Sequence, residues 1–241
     1  MWPKSMMVAS SPPADEVALS SDVAHSRETA RKYGWAIHAG SLEEVRAKAR
    51  RLGWQEVSTR RGDRPVAELR PTAPEHAHAR SLSATYGLGA QPLHTDGAHL
   101  LEPPDLVVLC ADQSNGTPTL LWSSFSKLSN PRYPRIGHSD YLDNGMFLVN
   151  GAGRPFLAPA HDSSMGWRYD PGCMTACDQR ARQVDSFFRE ASSDAYRHEW
   201  SKAGQVLFID NRRALHARSA ISENEEHRLL RRITFDTQAI Q

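Results

Sequence analysis

The apolar residues of this chain come in short runs, and that limits the fold more than any other feature. Past Gly53 the clearest runs are Asp105–Ala111 (DLVVLCA), Thr119–Trp122 (TLLW), Gly204–Ile209 (GQVLFI) and Arg228–Phe235 (RLLRRITF), four to eight residues long. Turn formers set off several of them: Pro103-Pro104 before the first and Asn115-Gly116-Thr117-Pro118 before the second. Runs of that length suit strands and are too short for most globular helices. Helical spacing is confined to two segments. Ser41–Gly53 puts Leu42, Val45 and Ala49 on one face, with Ser41 as N-cap, Glu44 three residues later and Gly53 as the stop. Asp178–Ala191 turns Val184, Phe187 and Phe188 inward. The expected fold class is mainly β with flanking helices, built as a sandwich or barrel. Residues 1–30 are small and polar and are expected to form a flexible N-terminal arm, with residues 31–241 as a single domain.

Charge narrows the partners. With 29 Lys+Arg against 28 Asp+Glu the net charge is +1, too balanced to gather a polyanionic backbone or an anionic lipid surface. Nucleic-acid and membrane-surface roles are therefore not expected. No stretch approaches the roughly 18 apolar residues of a membrane span, and the N-terminus lacks a continuous apolar core, so a cytoplasmic protein is expected. Three cysteines do not make a disulfide framework. Cys173 and Cys177 lack the second pair a structural zinc site needs and read as ordinary thiols. The unexplained surplus is 11 histidines.

One of them sits in Gln91–Gly97 (QPLHTDG). If that segment is extended, His94 and Asp96 project from the same side, which supplies two of the three ligands of a 2-His-1-carboxylate metal triad. Alone, His-x-Asp is a weak motif that also fits a hydrogen-bonded surface pair. Near the C-terminus the strand at Gly204–Ile209 runs into the polar turn Asp210-Asn211-Arg212-Arg213, after which comes His216. Twelve positions further on, Arg228 opens the last strand, where Arg228, Leu230, Arg232 and Thr234 share one face and Leu229, Arg231, Ile233 and Phe235 the other. Two arginines on an inward face imply an acidic ligand or partner carboxylates.

In order and approximate spacing, PLHTDGAHLLEPPDLVVLCAD, the Gly116–Trp122 strand, VLFIDNRRALHAR and RLLRRITF resemble the TauD/TfdA-like Fe(II)/2-oxoglutarate-dependent oxygenases, closest to the clavaminate synthase-like branch. The resemblance spans roughly residues 33–237 and is strongest after Ser81. It implies a double-stranded β-helix (jelly roll), with His94, Asp96 and His216 as Fe(II) ligands. It further implies that Thr119 and Arg228 hold the distal carboxylate of 2-oxoglutarate, although Thr117 lies on the same strand face, and that Arg232 contacts cosubstrate or an anionic substrate. O2 is the co-oxidant. Because Asp96 is present where related halogenases carry a small residue, hydroxylation, desaturation or ring closure is expected and halogenation is not.

The implied substrate is a small carboxylate-bearing molecule, an amino acid or natural-product precursor, because Arg168, Arg231 and Arg232 add cations near the expected pocket. Arg168 lies in a stretch similar to the family's and fits either a substrate carboxylate or a surface ion pair. Ser81, Ser83 and Tyr86 fall where relatives line the substrate side, though hydroxyl-to-backbone bonds in a loop account for them equally. His99 reads as a loop histidine, His76 and His78 as a solvated pair, and Glu44, Arg46 and Arg50 as a helix's wet face. Two other functions fit the same triad: a metal-dependent hydrolase and a non-catalytic 2-oxoglutarate-binding relative. Hydrolysis has no need of Arg228, and the complete ligand set argues against decay.

Overall fold

A computed structural model of the chain describes residues 20–60, 62–79, 81–123, 139–151, 153–225 and 227–237. The helices are α1 (Val23–Tyr33), α2 (Leu42–Arg51), α3 (Leu82–Tyr86), α4 (Ser139–Asn144) and α5 (Gln179–Ala191). The strands are β1 (Trp35–Ala39), β2 (Gln55–Val57), β3 (Val66–Leu69), β4 (Leu106–Ala111), β5 (Asn115–Ser123), β6 (Met146–Val149), β7 (Phe156–Pro159), β8 (His161–Asp162), β9 (Gly166–Trp167), β10 (Met174–Ala176), β11 (Tyr196–Trp200), β12 (Gln205–Asp210), β13 (Ala214–Arg218) and β14 (Leu230–Asp236).

Each short apolar run becomes a strand, and the alternation of side chains decides what it separates. In β4, Leu106, Val108 and Cys110 pack with Val23, Ala30, Leu42, Val45 and Ala49 of α1 and α2. The intervening Val107, Leu109 and Ala111 face the other way, with Leu207, Ile209, Leu121 and Trp200. β4 is a central strand of a six-stranded sheet, in the order β1-β12-β4-β14-β2 with β3 also on β14. Opposite it stands the sheet β11-β5-β13. The outer side of that second sheet, through Trp122, Leu215 and Ala217, packs on Val184, Phe187 and Phe188 of α5 and on β6 and β10. The result is the double-stranded β-helix: two facing antiparallel sheets, helices outside, and an interior between them.

α2 has the expected capping box, with Ser41 Oγ accepting from Glu44 N at 3.2 Å and Glu44 Oε2 accepting from Ser41 N at 2.7 Å. α5 begins at Asp178, where its expected span starts, and the Asp178 carboxylate caps it by accepting from Ala181 N at 2.8 Å. The arm expected for residues 1–30 requires correction. Residues 1–19 lie outside the described residues, but Val23–Tyr33 form a helix whose Val23, Ser26 and Ala30 are buried. Its small apolar face is reinforced by polar contacts that composition conceals: Ser26 Oγ with His38 Nδ1 at 2.9 Å, and Arg27 with Asp210 at 2.7 Å. The helix stops at Gly34, whose φ of 98° is left-handed and where a Cβ would lie 2.8 Å from the Ser123 side chain.

Candidate active site

His94 and His216 meet as a cross-strand pair. They form an isolated antiparallel bridge in which each backbone N–H donates to the other's carbonyl, at 2.9 and 3.0 Å, and their ring centroids are 4.5 Å apart. The backbone is extended only as far as this bridge and turns at Asp96, so the pairing with His216, not a continued strand, gathers the three side chains. Ligand atoms of His94, Asp96 and His216 lie within 4.8 Å of one another. Asp96 is fixed through its main chain by Asn211, a residue the sequence reading did not single out. Asn211 Oδ1 accepts from Asp96 N at 3.0 Å, and Nδ2 donates to the carbonyls of Asp96 and Pro104, each at 2.9 Å. Between the two ligands, Thr95 N donates to Tyr169 O at 2.7 Å.

The protonation pattern suits a metal. His94 Nδ1 lies 3.0 Å from Pro92 O, a bond that requires the proton on Nδ1 and leaves Nε2 a lone pair. That Nε2 is 3.9 Å from Asp96 Oδ1, and His216 Nε2 is 3.8 Å from Asp96 Oδ2. Burial, reinforced by the neighbouring His94, pushes His216 down to about 3, so its imidazole is neutral at physiological pH. Burial opposes charge on Asp96, but the neighbouring Arg232 guanidinium outweighs it and holds the carboxyl below the usual range. Arg232 Nη1 donates to Asp96 Oδ1 at 2.8 Å, while buried Oδ2 has no hydrogen-bond partner. Two imidazoles and a carboxylate with an orphaned oxygen fit a divalent cation.

The triad lies on the wall of a cavity of about 530 Å³, a size common for small-molecule sites. Thr119, Arg228, Arg232, Ser81 and Ser83 all line it. Thr119 rather than Thr117 faces this space: its hydroxyl accepts from Trp200 Nε1 at 3.1 Å, whereas Thr117 Oγ1 accepts from Ser222 N at 3.2 Å outside the cavity. Arg228 precedes the first residue of β14 yet stays on the inward side, its Nε donating to Asn115 Oδ1 at 3.1 Å. Burial and nearby Arg218 push its guanidinium down to about 10, so it remains a cation. Ser81 Oγ donates to His78 O at 2.7 Å, a hydroxyl-to-backbone bond, whereas Ser83 lies in α3 and its Oγ accepts from the Gln91 side chain at 3.2 Å. His99 also lines the cavity, and His76 and His78 are exposed residues on its lining.

Two expected cations point elsewhere. Arg168 does not line the cavity: it donates to the carbonyls of Ala98 (2.6 Å), Leu100 and Leu101 (2.7 Å), bracing the chain just after the triad loop. Arg231 projects from the opposite face of β14 and bonds Asp112 (2.5 Å) and Glu43 (2.5 Å). Besides Arg228 and Arg232, the cavity is lined by Arg60, Arg70 and Arg218, the last sharing a strand face with His216. The two-residue spacing of Arg218 from His216 is a signal the sequence does carry. Asn211 has none, since nothing in a polar turn tells which residue will point inward.

Residues 146–234 match the sequence profile described as "Taurine catabolism dioxygenase TauD, TfdA family". That span contains His216, Arg228 and Arg232 but begins after His94, Asp96 and Thr119, which the fold brings to it. No curated protein matches the chain. Among solved structures, an asparagine oxygenase in complex with Fe(II), 2S,3S-3-hydroxyasparagine and succinate aligns with a TM-score of 0.69 at 17% identity, covering 93% of this chain and 80% of its own. The non-heme iron oxygenase OrfP, in complex with Fe, succinate and (3S)-hydroxy-L-Arg, aligns at 0.61 and 20% identity over 90% and 79%. PvcB from Pseudomonas aeruginosa aligns at 0.58 and 20% identity over 88% and 79%. The fold is that of these solved structures, and residues 146–234 match the TauD/TfdA profile.

Proposed function

We propose that the protein is an Fe(II)- and 2-oxoglutarate-dependent oxygenase that hydroxylates a C–H bond of a small carboxylate-bearing molecule, with a free amino acid as the preferred substrate class. The observation that carries this reading is one cavity holding both a His94/Asp96/His216 cluster and an inward arginine, Arg228, that no carboxylate pairs among the described residues. A hydrolase built on the same triad would have no use for that arginine. The amino-acid class is supported by the hydroxylated asparagine and arginine held in two of the similar structures.

In this reading His94 Nε2, His216 Nε2 and Asp96 Oδ2 hold the metal. Fe(II), when bound, couples dioxygen reduction to oxidative decarboxylation of 2-oxoglutarate, so that substrate C–H, O2 and 2-oxoglutarate give substrate C–OH, succinate and CO2. The chain's own residues position and shield. His94 is oriented by Pro92, and Asp96 by Arg232 and Asn211. Arg228 meets the distal carboxylate with charge-assisted hydrogen bonds, and the Thr119 hydroxyl, already accepting from Trp200, donates its proton to the same group. Buried Leu109 and Leu230 at the cavity wall exclude water. Ser81 and Ser83 border the substrate end.

The test is anaerobic addition of Fe(II) and 2-oxoglutarate. A weak visible metal-to-ligand charge-transfer band is expected, and a folded, metal-loaded protein without it overturns the proposal. His216→Ala is expected to abolish succinate release coupled to amino-acid oxidation. Normal turnover by that variant would remove His216 from the ligand set.

A further inference from the structure

The cavity wall that carries Arg228 carries a second guanidinium with unspent donors. Arg218 follows His216 by two residues on β13, and its backbone partner across the ladder on β5 is Thr119. Its Nη2 donates to the carbonyls of Gly87 (2.6 Å) and Gly89 (2.7 Å), but its Nε is buried with no partner. Arg228 commits only its Nε, to Asn115 Oδ1 at 3.1 Å, and Nδ2 of that same asparagine is buried and unpartnered as well. Glu225, the acid acting on Arg228, accepts instead from Gly116 N at 2.7 Å. Among the described residues no carboxylate forms an ion pair with either arginine. Neighbouring cations with orphaned donors and no acceptor are unfavourable in a half-closed cavity unless an anion is shared between them.

We propose that Arg218 is a second binding residue for the distal carboxylate of the cosubstrate, forming with Arg228 a two-guanidinium clamp that selects a 2-oxo diacid over a 2-oxo acid with a neutral tail. The inference rests on the 2-oxoglutarate dependence proposed above. Arg228 comes from the segment leading into β14 and Arg218 from β13, so the two approach the carboxylate from different elements. Arg218 also ties the Gly87–Gly89 turn to the strand bearing His216, and a test must separate that structural role from anion binding.

The experiment titrates the anaerobic Fe(II)-loaded full-length protein with 2-oxoglutarate and with 2-oxopentanoate, which has the same chain with a methyl group in place of the distal carboxylate. The charge-transfer band is the readout for wild type, Arg218→Met and Arg218→Lys. For Arg218→Met the dissociation constant of 2-oxoglutarate is expected to rise about 10- to 100-fold, the loss of one charge-assisted contact, while that of 2-oxopentanoate stays within about twofold. Arg218→Lys keeps the charge but not the fork and is expected to fall between. It also serves as the working comparison if the methionine variant does not fold. Unchanged 2-oxoglutarate affinity overturns the proposal. Equal weakening of both acids also overturns it and assigns Arg218 to holding the Gly87–Gly89 turn. A wild-type protein that gives no band with 2-oxoglutarate fails at the earlier step and overturns the oxygenase reading itself.

Discussion

Asn211 uses all of its carboxamide's bonding on the loop that carries Asp96, and its burial makes each bond matter. Asn211→Ala leaves the Asp96 N–H and carbonyl without their partner in a buried site, where an unmet polar group costs about 1–3 kcal/mol. A loss of about 2–4 kcal/mol in urea unfolding is expected, together with weaker Co(II) binding as the Asp96 carboxylate loses its fixed position. An unchanged Co(II) titration would show that Asp96 is held without it. His198, buried on β11, predicts a pH dependence. Desolvation pushes it down to about 4 from an ordinary 6.5. As pH falls through 6.5 the unfolded chain takes up a proton that the folded one refuses until about 4, so stability present above 6.5 is lost across that window. The size is about 3 kcal/mol over the whole interval. Replacing it, His198→Gln should shrink the stability lost between pH 7 and pH 4.5 by about 2–3 kcal/mol; equal losses in both proteins would refute the assignment. At this scale the sequence reveals residue type and parity but not partners. His94, Asp96, Arg228 and Thr119 all line the cavity. Parity along β14 sets Arg231 apart from Arg228 and Arg232, which counting it among the pocket cations overlooked, whereas nothing local shows that Arg168 is consumed by three carbonyls.

Among the elements, α5 was the most legible, because Val184, Phe187 and Phe188 repeat at helical spacing and Asp178 caps it. Phe188 is fully buried and packs edge-on or tilted against Trp122, Trp167, Tyr169 and Phe187. Phe188→Ala is therefore expected to cost about 3–5 kcal/mol, measured as a lower urea midpoint; a loss under about 1 kcal/mol would mean that the layer outside the β11-β5-β13 sheet collapses freely into the gap. α1 was illegible for the opposite reason. Its buried face is Val23, Ser26 and Ala30, too small and too polar to raise a periodic signal, and the contacts that seat it come from His38 and Asp210, 12 and 183 positions away. The strands were visible as runs, but sheet membership was not: β12 and β13 flank a single turn and belong to different sheets.

For the molecule as a whole, short runs separated by turns fixed the class, and the facing of two sheets is what turns distant residues into one site. A metal that binds only this assembled geometry must stabilise the fold. Mn(II) at about 100 times its dissociation constant adds about 2.7 kcal/mol, which for a chain of 241 residues is a rise in Tm of about 5–10 °C. His94→Ala should remove the rise, and an equal rise in that variant would place the ion elsewhere. The turn from β12 to β13 has a further effect. Asn211 within it grips the loop at Asp96, and His216 just beyond it pairs with His94, so one sheet-to-sheet crossover holds both ends of the triad segment. The His94/Asp96/His216 cluster is thus tied to one crossing between the sheets, with further bonds from Arg232 to Asp96 and from Thr95 to Tyr169. Substitutions in that crossover are therefore expected to disturb Asp96 and His216 together and not one side chain at a time.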